Sequence, residues 1–329
     1  MRRRDFMKIV GGAAAGWPLA ARAQQPARMR RIGMLAGGLA ADDPEWQVRS
    51  TAFVQALAHL GWTDGRNVRI DFRFGLGDPE RRRQSAAELV ALGPDVLLAG
   101  GGSAVQALQQ ATRTVPIVFA NVVDPVGEGF VASLVRPGGN ATGFMSVEFG
   151  VSGKLLELLK QIAPRVARVA VLRNATTTEI AQFAAIQAVA PSFGVEVIPI
   201  IARDAGELEN KIMEFARGPN SGLIAPNPGT TQSLRDRIIA LAARNRLPAV
   251  YPFRGYVTAG GLISYGIDQA EPYRLAAGYV DRILKGEKPA DLPVQAPTKY
   301  ETVLNMKTAK ALELQVPDVV RLRADEIIE

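Results

Sequence analysis

Few side chains in this sequence are equipped for covalent chemistry. The chain of 329 residues has one histidine, His59, and no cysteine. Ser-His and Cys-His pairs need a base beside a nucleophile, and zinc sites need clustered His or Cys, so neither chemistry has its parts here. No two carboxylates fall on equivalent strand ends, as paired acid–base work on a glycosidic bond requires. What remains suits the holding of a small polar molecule. Gly100-Gly101-Gly102-Ser103 precedes AVQALQQA, a helix predicted to begin near Ala104. Glycines let a backbone approach closely, and the free N–H groups at a helix start attract an anion such as a carboxylate. Ser103 adds a hydroxyl donor, or serves only as an N-cap. The run lacks the dinucleotide and P-loop glycine spacings, so no cofactor is indicated.

The elements that must position these residues come in two similar sets. Arg31-Ile-Gly-Met-Leu35 opens the first half and Arg168-Val-Ala-Val-Leu172 the second. Pro94–Ala99, followed by the glycine run, is matched by Ser221–Pro226, followed by Asn227-Pro-Gly-Thr230. Val115–Phe119 pairs with Leu247–Tyr251, and Gly138–Gly143 with Gly260–Ser264, in the same order and 122 to 137 residues apart. Each match is a short β-branched run bounded by Gly, Pro or Asn, the pattern of a buried strand. Between them lie stretches of helical period: Thr51–Leu60 with Phe53, Val54, Leu57 and Leu60 on one side, Ser152–Ile162, and Ser233–Ala243. Strand and helix in alternation, twice over, predict an α/β protein of two doubly wound parallel-sheet lobes.

In such sheets ligands bind beyond the carboxyl ends of the strands. The repeats therefore nominate Gly37, Gly38, Gly101–Ser103, Asn121 and Asp124 from the first lobe. From the second they nominate Arg173, Asn174, Asn227 to Thr230, Phe253 and Tyr265, with Asp268 just beyond. Asp124 offers an acceptor for a ligand ammonium or hydroxyl, although Asp-Pro also reads as an ordinary turn; Asp268 and Glu148 are rivals for that role. Asn174 and Asn227 occupy equivalent strand ends but are also common turn residues. Tyr265 is placed to stack on an apolar or aromatic ligand, or to fill a core. Trp46 and Trp62 flank the first helix; a reach of Trp46 into the cleft from the loop Gly37–Glu45 is the lesser reading for it, and His59 is expected to be packed or exposed on its helix.

Charge and the amino terminus bound the setting. The formal charge is +7, but residues 1–23 contribute Arg2, Arg3, Arg4, Lys8 and Arg22 against Asp5, a net +4, which leaves about +3 for the rest. That excludes an electrostatic footprint on nucleic acid, and Arg81-Arg82-Arg83 reads as the solvated face of a helix start. Arg3-Arg4-Asp5-Phe6-Met7-Lys8 resembles the twin-arginine export signal of bacteria. Ile9–Ala20 supplies an apolar stretch too short and too rich in glycine to span a membrane, and Ala21-Arg22-Ala23 a small-x-small cleavage pattern. The expected mature chain starts at Gln24, in the periplasm, without disulfides.

Pro116–Phe144 (PIVFANVVDPVGEGFVASLVRPGGNATGF) and Pro248–Asp268 (PAVYPFRGYVTAGGLISYGID) resemble the substrate-binding proteins of ABC importers. The match is to the type I periplasmic-binding-protein family whose better-known members are linked to aromatic amino acids. It runs from about Arg30 to Glu329 and includes the tail Val303-Leu-Asn-Met-Lys-Thr-Ala-Lys-Ala-Leu312. The resemblance implies three crossings between lobes, near Met145–Phe149, Tyr265–Gln269 and Ala296–Lys299. It also implies a helix Tyr273–Lys285 that returns to the first lobe and a tail that returns to the second. The implied division is a signal peptide at 1–23, lobe one at 29–146 with 268–297, and lobe two at 147–267 with 298–329. The implied function is a monomeric periplasmic receptor that closes on a small-molecule ligand and docks on an inner-membrane ABC permease. A sensor serving a membrane signalling receptor, or a twin-arginine-exported enzyme, are the alternatives.

Overall fold

The structure is a computed structural model that describes residues 28–146, 151–173, 177–202, 204–226 and 234–329. The first sheet contains β1 (Arg30–Ala36), β2 (Val68–Phe74), β3 (Val96–Gly100), β4 (Ile117–Val122) and β5 (Ala141–Met145), all parallel, in the order β2-β1-β3-β4-β5. Helices α1 (Pro44–His59), α2 (Pro79–Ala91) and α3 (Gly102–Ala111) connect them. The inner strands β1, from Ile32 on, and β3 read as apolar runs because both faces are covered, whereas the edge strand β2 alternates with Arg69, Asp71 and Arg73. Ile32 and Met34 of β1 and Val96 and Leu98 of β3 meet one core, which α1 completes with Trp46, Phe53 and Leu57. Leu35, Leu97 and Ala99 meet the opposite core, completed by Ala86 and Leu89 of α2 and Val105 and Leu108 of α3.

The second sheet repeats the plan. After α4 (Ser152–Ile162) come β6 (Arg168–Leu172), α5 (Thr177–Val189), β7 (Glu196–Ile200), α6 (Ala205–Ala216) and β8 (Ser221–Ile224). Then follow α7 (Arg235–Arg244), β9 (Ala249–Tyr251), α8 (Arg254–Thr258) and β10 (Ile263–Gly266). The order β7-β6-β8-β9-β10 is that of the first sheet. Val169 and Val171 of β6 face a core with Leu155 and Leu159 of α4. Ala170 and Leu172 face another with Ile212 of α6 and Ile238 of α7.

The chain then changes sheets. Helix α9 (Glu271–Leu284) packs on the first sheet, where Tyr273, Ala277 and Val280 join the core of α1. Gln295 bridges to Phe144 and exchanges backbone hydrogen bonds with Met145 and Gly143 at 2.8 and 2.9 Å, beside β5. From there β11 (Glu301–Asn305), α10 (Met306–Ala311), α11 (Asp318–Arg323) and β12 (Glu326–Ile328) extend the second sheet. Three segments thus join the sheets: between Met145 and Val151, at 267–270, and at 296–300. The sheets are not wholly parallel as expected, because β11 runs antiparallel to β10, with Gly266 opposite Glu301. The chain leaves the second sheet at the end of β10 and returns at that same end, so it can only run back.

One local expectation is corrected. The helix placed at Thr51–Leu60 begins seven residues earlier, because Asp43 caps it through Glu45 N at 2.8 Å and Pro44 fits its first turn. Trp46 therefore does not reach the cleft from a loop. It is 4% exposed and packs edge-on against Phe72, Phe74 and Tyr273. His59 is exposed at the end of α1. Among the described residues no helix is long and apolar enough to cross a membrane. Residues 1–23, with the export motif, lie outside the described residues.

Candidate functional site

The strand order places a crevice between β1 and β3, where the following connections diverge to opposite faces. Gly37 follows β1, and its N–H donates to the Gly100 carbonyl at 3.2 Å. A Cβ at Gly37 would lie 2.7 Å from Ser103 Oγ and 3.0 Å from Gly100 O, so glycine permits this close approach. Helix α3 starts at Gly102, earlier than predicted, and its N-cap is Gly101 with φ +91°. Ser103 is therefore not the cap. Its hydroxyl stands exposed beside Gly37, at a helix start with no side-chain cap.

Arg82 completes this corner, and the sequence reading missed it. Arg81 and Arg83 are exposed as expected, but Arg82 is half-buried, with Nη1 3.4 Å from the Gly37 carbonyl. Burial lowers the pKa of its guanidinium, a pull that Asp78 partly offsets. The available signal was spacing: Arg82 falls on the stripe of Ser85, Ala86 and Leu89 that α2 turns inward.

Asn121, in β4, has φ +60°. Its Nδ2 donates to the Gln269 carbonyl of the second connecting segment at 3.1 Å, and its Oδ1 is buried without a partner. The carboxylates are more occupied. Asp124 Oδ1 accepts from Gly127 N at 2.8 Å, closing the Asp-Pro turn. Asp268 Oδ1 accepts from Ala270 N at 2.9 Å, and its Oδ2 lies 3.8 Å from Arg274. Gly38 is exposed, and a Cβ there would meet nothing within 4 Å. Glu148, Asn174, and Asn227 to Thr230 lie outside the described residues. Arg173 sits over the Phe183 ring at 5.3 Å.

The second lobe contributes a pocket partly open to solvent. Its walls are Pro226 after β8, Pro252 and Phe253 after β9, and Tyr265 and Gly266 of β10. The start of α4 supplies Val151, Ser152 and Leu155, and Ser146 enters from the end of β5. The Tyr265 ring stacks on Tyr300 at 5.5 Å and 18°, which presents a flat aromatic wall. Among the described residues no group of three His, Asp or Glu side chains could hold a metal ion.

Doubly wound sheets joined by three connecting segments, with polar groups gathered at their strand ends, define the two-lobed periplasmic-binding-protein type I class. The chain belongs to the ABC transporter substrate binding protein family, which it matches over residues 42–328. It is 28% identical over 292 residues to a tyrosine-binding protein of Clostridioides difficile strain R20291, covering 87% of this chain and 81% of that one. A Streptococcus pneumoniae ABC domain in complex with L-Trp superposes with a TM-score of 0.84 at 26% identity, over 91% of this chain and 99% of that one. A ligand-free, open substrate-binding protein with adhesive properties from Clostridium difficile covers the same shares at the same identity, with a TM-score of 0.70. These relatives are solute-binding proteins, and the chain is a binding protein rather than an enzyme.

Proposed function

We propose that the protein is a periplasmic receptor that captures an aromatic amino acid between its lobes and delivers it to an inner-membrane ABC permease. The observation that carries this reading is the pocket walled by Phe253, Tyr265 and two prolines, an apolar and aromatic lining suited to a ring. The Gly37–Ser103–Arg82 corner supplies what a carboxylate needs: a helix start, a hydroxyl and a cation. Asn121 Oδ1 supplies an acceptor for an ammonium group. Asp124 and Asp268 remain secondary acceptors, since each already spends one carboxylate oxygen on a backbone N–H. The names of the relatives, one binding tyrosine and one holding L-Trp, support the same class of ligand. Micromolar capture needs about −8 kcal/mol. A few charge-assisted hydrogen bonds at roughly 1.5–3 kcal/mol each, with one buried ring, supply it.

Isothermal titration of the mature chain from Gln24 with the twenty amino acids is the test. Tyrosine or tryptophan is expected to bind at micromolar concentration, with compaction in small-angle scattering, while sugars and nucleosides give no heat. A protein that binds a polyol or nucleoside and ignores every amino acid would end the proposal. Export is tested separately: Arg3→Lys with Arg4→Lys is expected to hold the unprocessed chain in the cytoplasm.

A further inference from the structure

We infer that Ser152 selects, among aromatic solutes, those whose ring carries a hydrogen-bond donor. The inference rests on the aromatic amino-acid reading and specifies which such ligands the pocket prefers. Ser152 is the first residue of α4, a position beside the usual place of a capping hydroxyl. Here Val151 occupies the N-cap, and no side chain caps the helix. The Ser152 side chain is thus released from the local role that serines at helix starts usually perform.

Its surroundings leave it no other use. Ser152 is 2% exposed, and its Oγ has no hydrogen-bond partner. Buried hydroxyls are nearly always paired, so a lone one on a residue that lines a cavity points to a partner that arrives with the ligand. The walls of that cavity are mostly apolar, with Leu155 on the next turn of α4, Phe253, the Tyr265 ring and two prolines. A sugar or polyol would bring many hydroxyls into a pocket that, among the described residues, offers only the Ser146 and Ser152 side chains as neutral polar partners beside the Tyr265 phenol. A ring with one polar atom matches it better. The phenol O–H of tyrosine and the indole N–H of tryptophan are both single donors at the edge of a flat apolar body, and Ser152 Oγ can accept from either. Phenylalanine fills the same walls but leaves the hydroxyl buried and unpaired. A site built to pair a polar group discriminates against the analogue that lacks it.

The experiment measures dissociation constants for L-Tyr, L-Trp, L-Phe and 4-fluoro-L-phenylalanine, a near-isostere of tyrosine without the donor. The native protein and Ser152→Ala and Ser152→Thr are compared. Native protein is expected to bind L-Tyr and L-Trp about ten-fold tighter than the two donor-free ligands, roughly 1.4 kcal/mol. Ser152→Ala should bring all four within about two-fold by weakening L-Tyr and L-Trp alone, and Ser152→Thr, which keeps the hydroxyl, should restore the gap. Unchanged L-Phe affinity in Ser152→Ala shows that the pocket remains intact. If Ser152→Ala keeps the native preference, or the native protein has none, Ser152 is not the selector, while capture of aromatic amino acids stands. If none of the four binds the native protein, both proposals fall together.

Discussion

Asn121 combines two unfavourable features at one residue. A non-glycine residue at φ +60° is uncommon, and a buried amide oxygen without a partner is more so. Such strain persists where surrounding contacts over-determine it, and the Nδ2 bond to Gln269 O does that. Asn121→Gly relaxes the backbone while deleting both the tether and the acceptor. It is expected to leave the melting temperature within about 3 °C of native and to weaken amino-acid binding about ten-fold, read by titration calorimetry. Unchanged affinity would remove Asn121 from the site. Arg82 and Ser152 share its lesson: each has the residue type of a routine surface or cap position, and only its neighbours give it another role.

At the scale of elements, the two sheets explain why the repeats could be read. Strands buried on both faces must be apolar throughout, and their ends must turn, so β1, β3, β6 and β8 announce themselves by composition. The connecting segments have no such periodicity. One of them carries a titratable strain where β11 begins. Glu301 has its pKa raised by burial and by the nearby Asp268, Asp325 and Glu326 carboxylates, with Arg254 opposing. An acid whose folded pKa exceeds its unfolded value is no burden while protonated, and it weakens the fold as pH rises through the folded value. Glu301→Gln is therefore expected to melt about 1 °C higher than native at pH 7, a small gain because solvent screens the half-exposed group. The gain should vanish below about pH 4, where both states carry a neutral glutamate. Differential scanning calorimetry across that range decides it; a gain that grows at low pH would refute the assignment.

On the scale of the whole molecule, one ion pair among the described residues joins the lobes away from the connecting segments. Glu45 of α1 reaches Arg235 of α7 at 2.7 Å through Oε1, while its Oε2 holds Arg49 at 2.7 Å. A Cβ on Gly255 of α8 would collide with the same carboxylate, so Glu45 is seated against the second lobe. Opening the cleft must break this contact. The chain superposes on the L-Trp complex with a TM-score of 0.84 and on the open relative with 0.70. Arg235→Gln is expected to shift the ligand-free protein toward open forms and to raise the dissociation constant about five-fold. Salt should produce part of the same effect in the native protein, because the pair is only partly shielded. The absence of cysteine allows distance labels at Arg83→Cys and Arg244→Cys without background. Identical distance distributions in native and Arg235→Gln chains would show that the pair does not set the equilibrium.

From the linear chain alone came the alternation of strand and helix, its duplication, the strand ends and the lack of catalytic parts. All of these depend on local composition and period. Folding settled the rest by bringing distant residues together. Trp46 went to a core because α1 starts early, and Ser103 was freed because Gly101 takes the cap. Ser152 was left beside Tyr265, more than a hundred residues away, with a hydroxyl that nothing in the pocket satisfies. Contacts of that range carry no periodic signal in sequence, since they are set by how two cores and three connections fit in space.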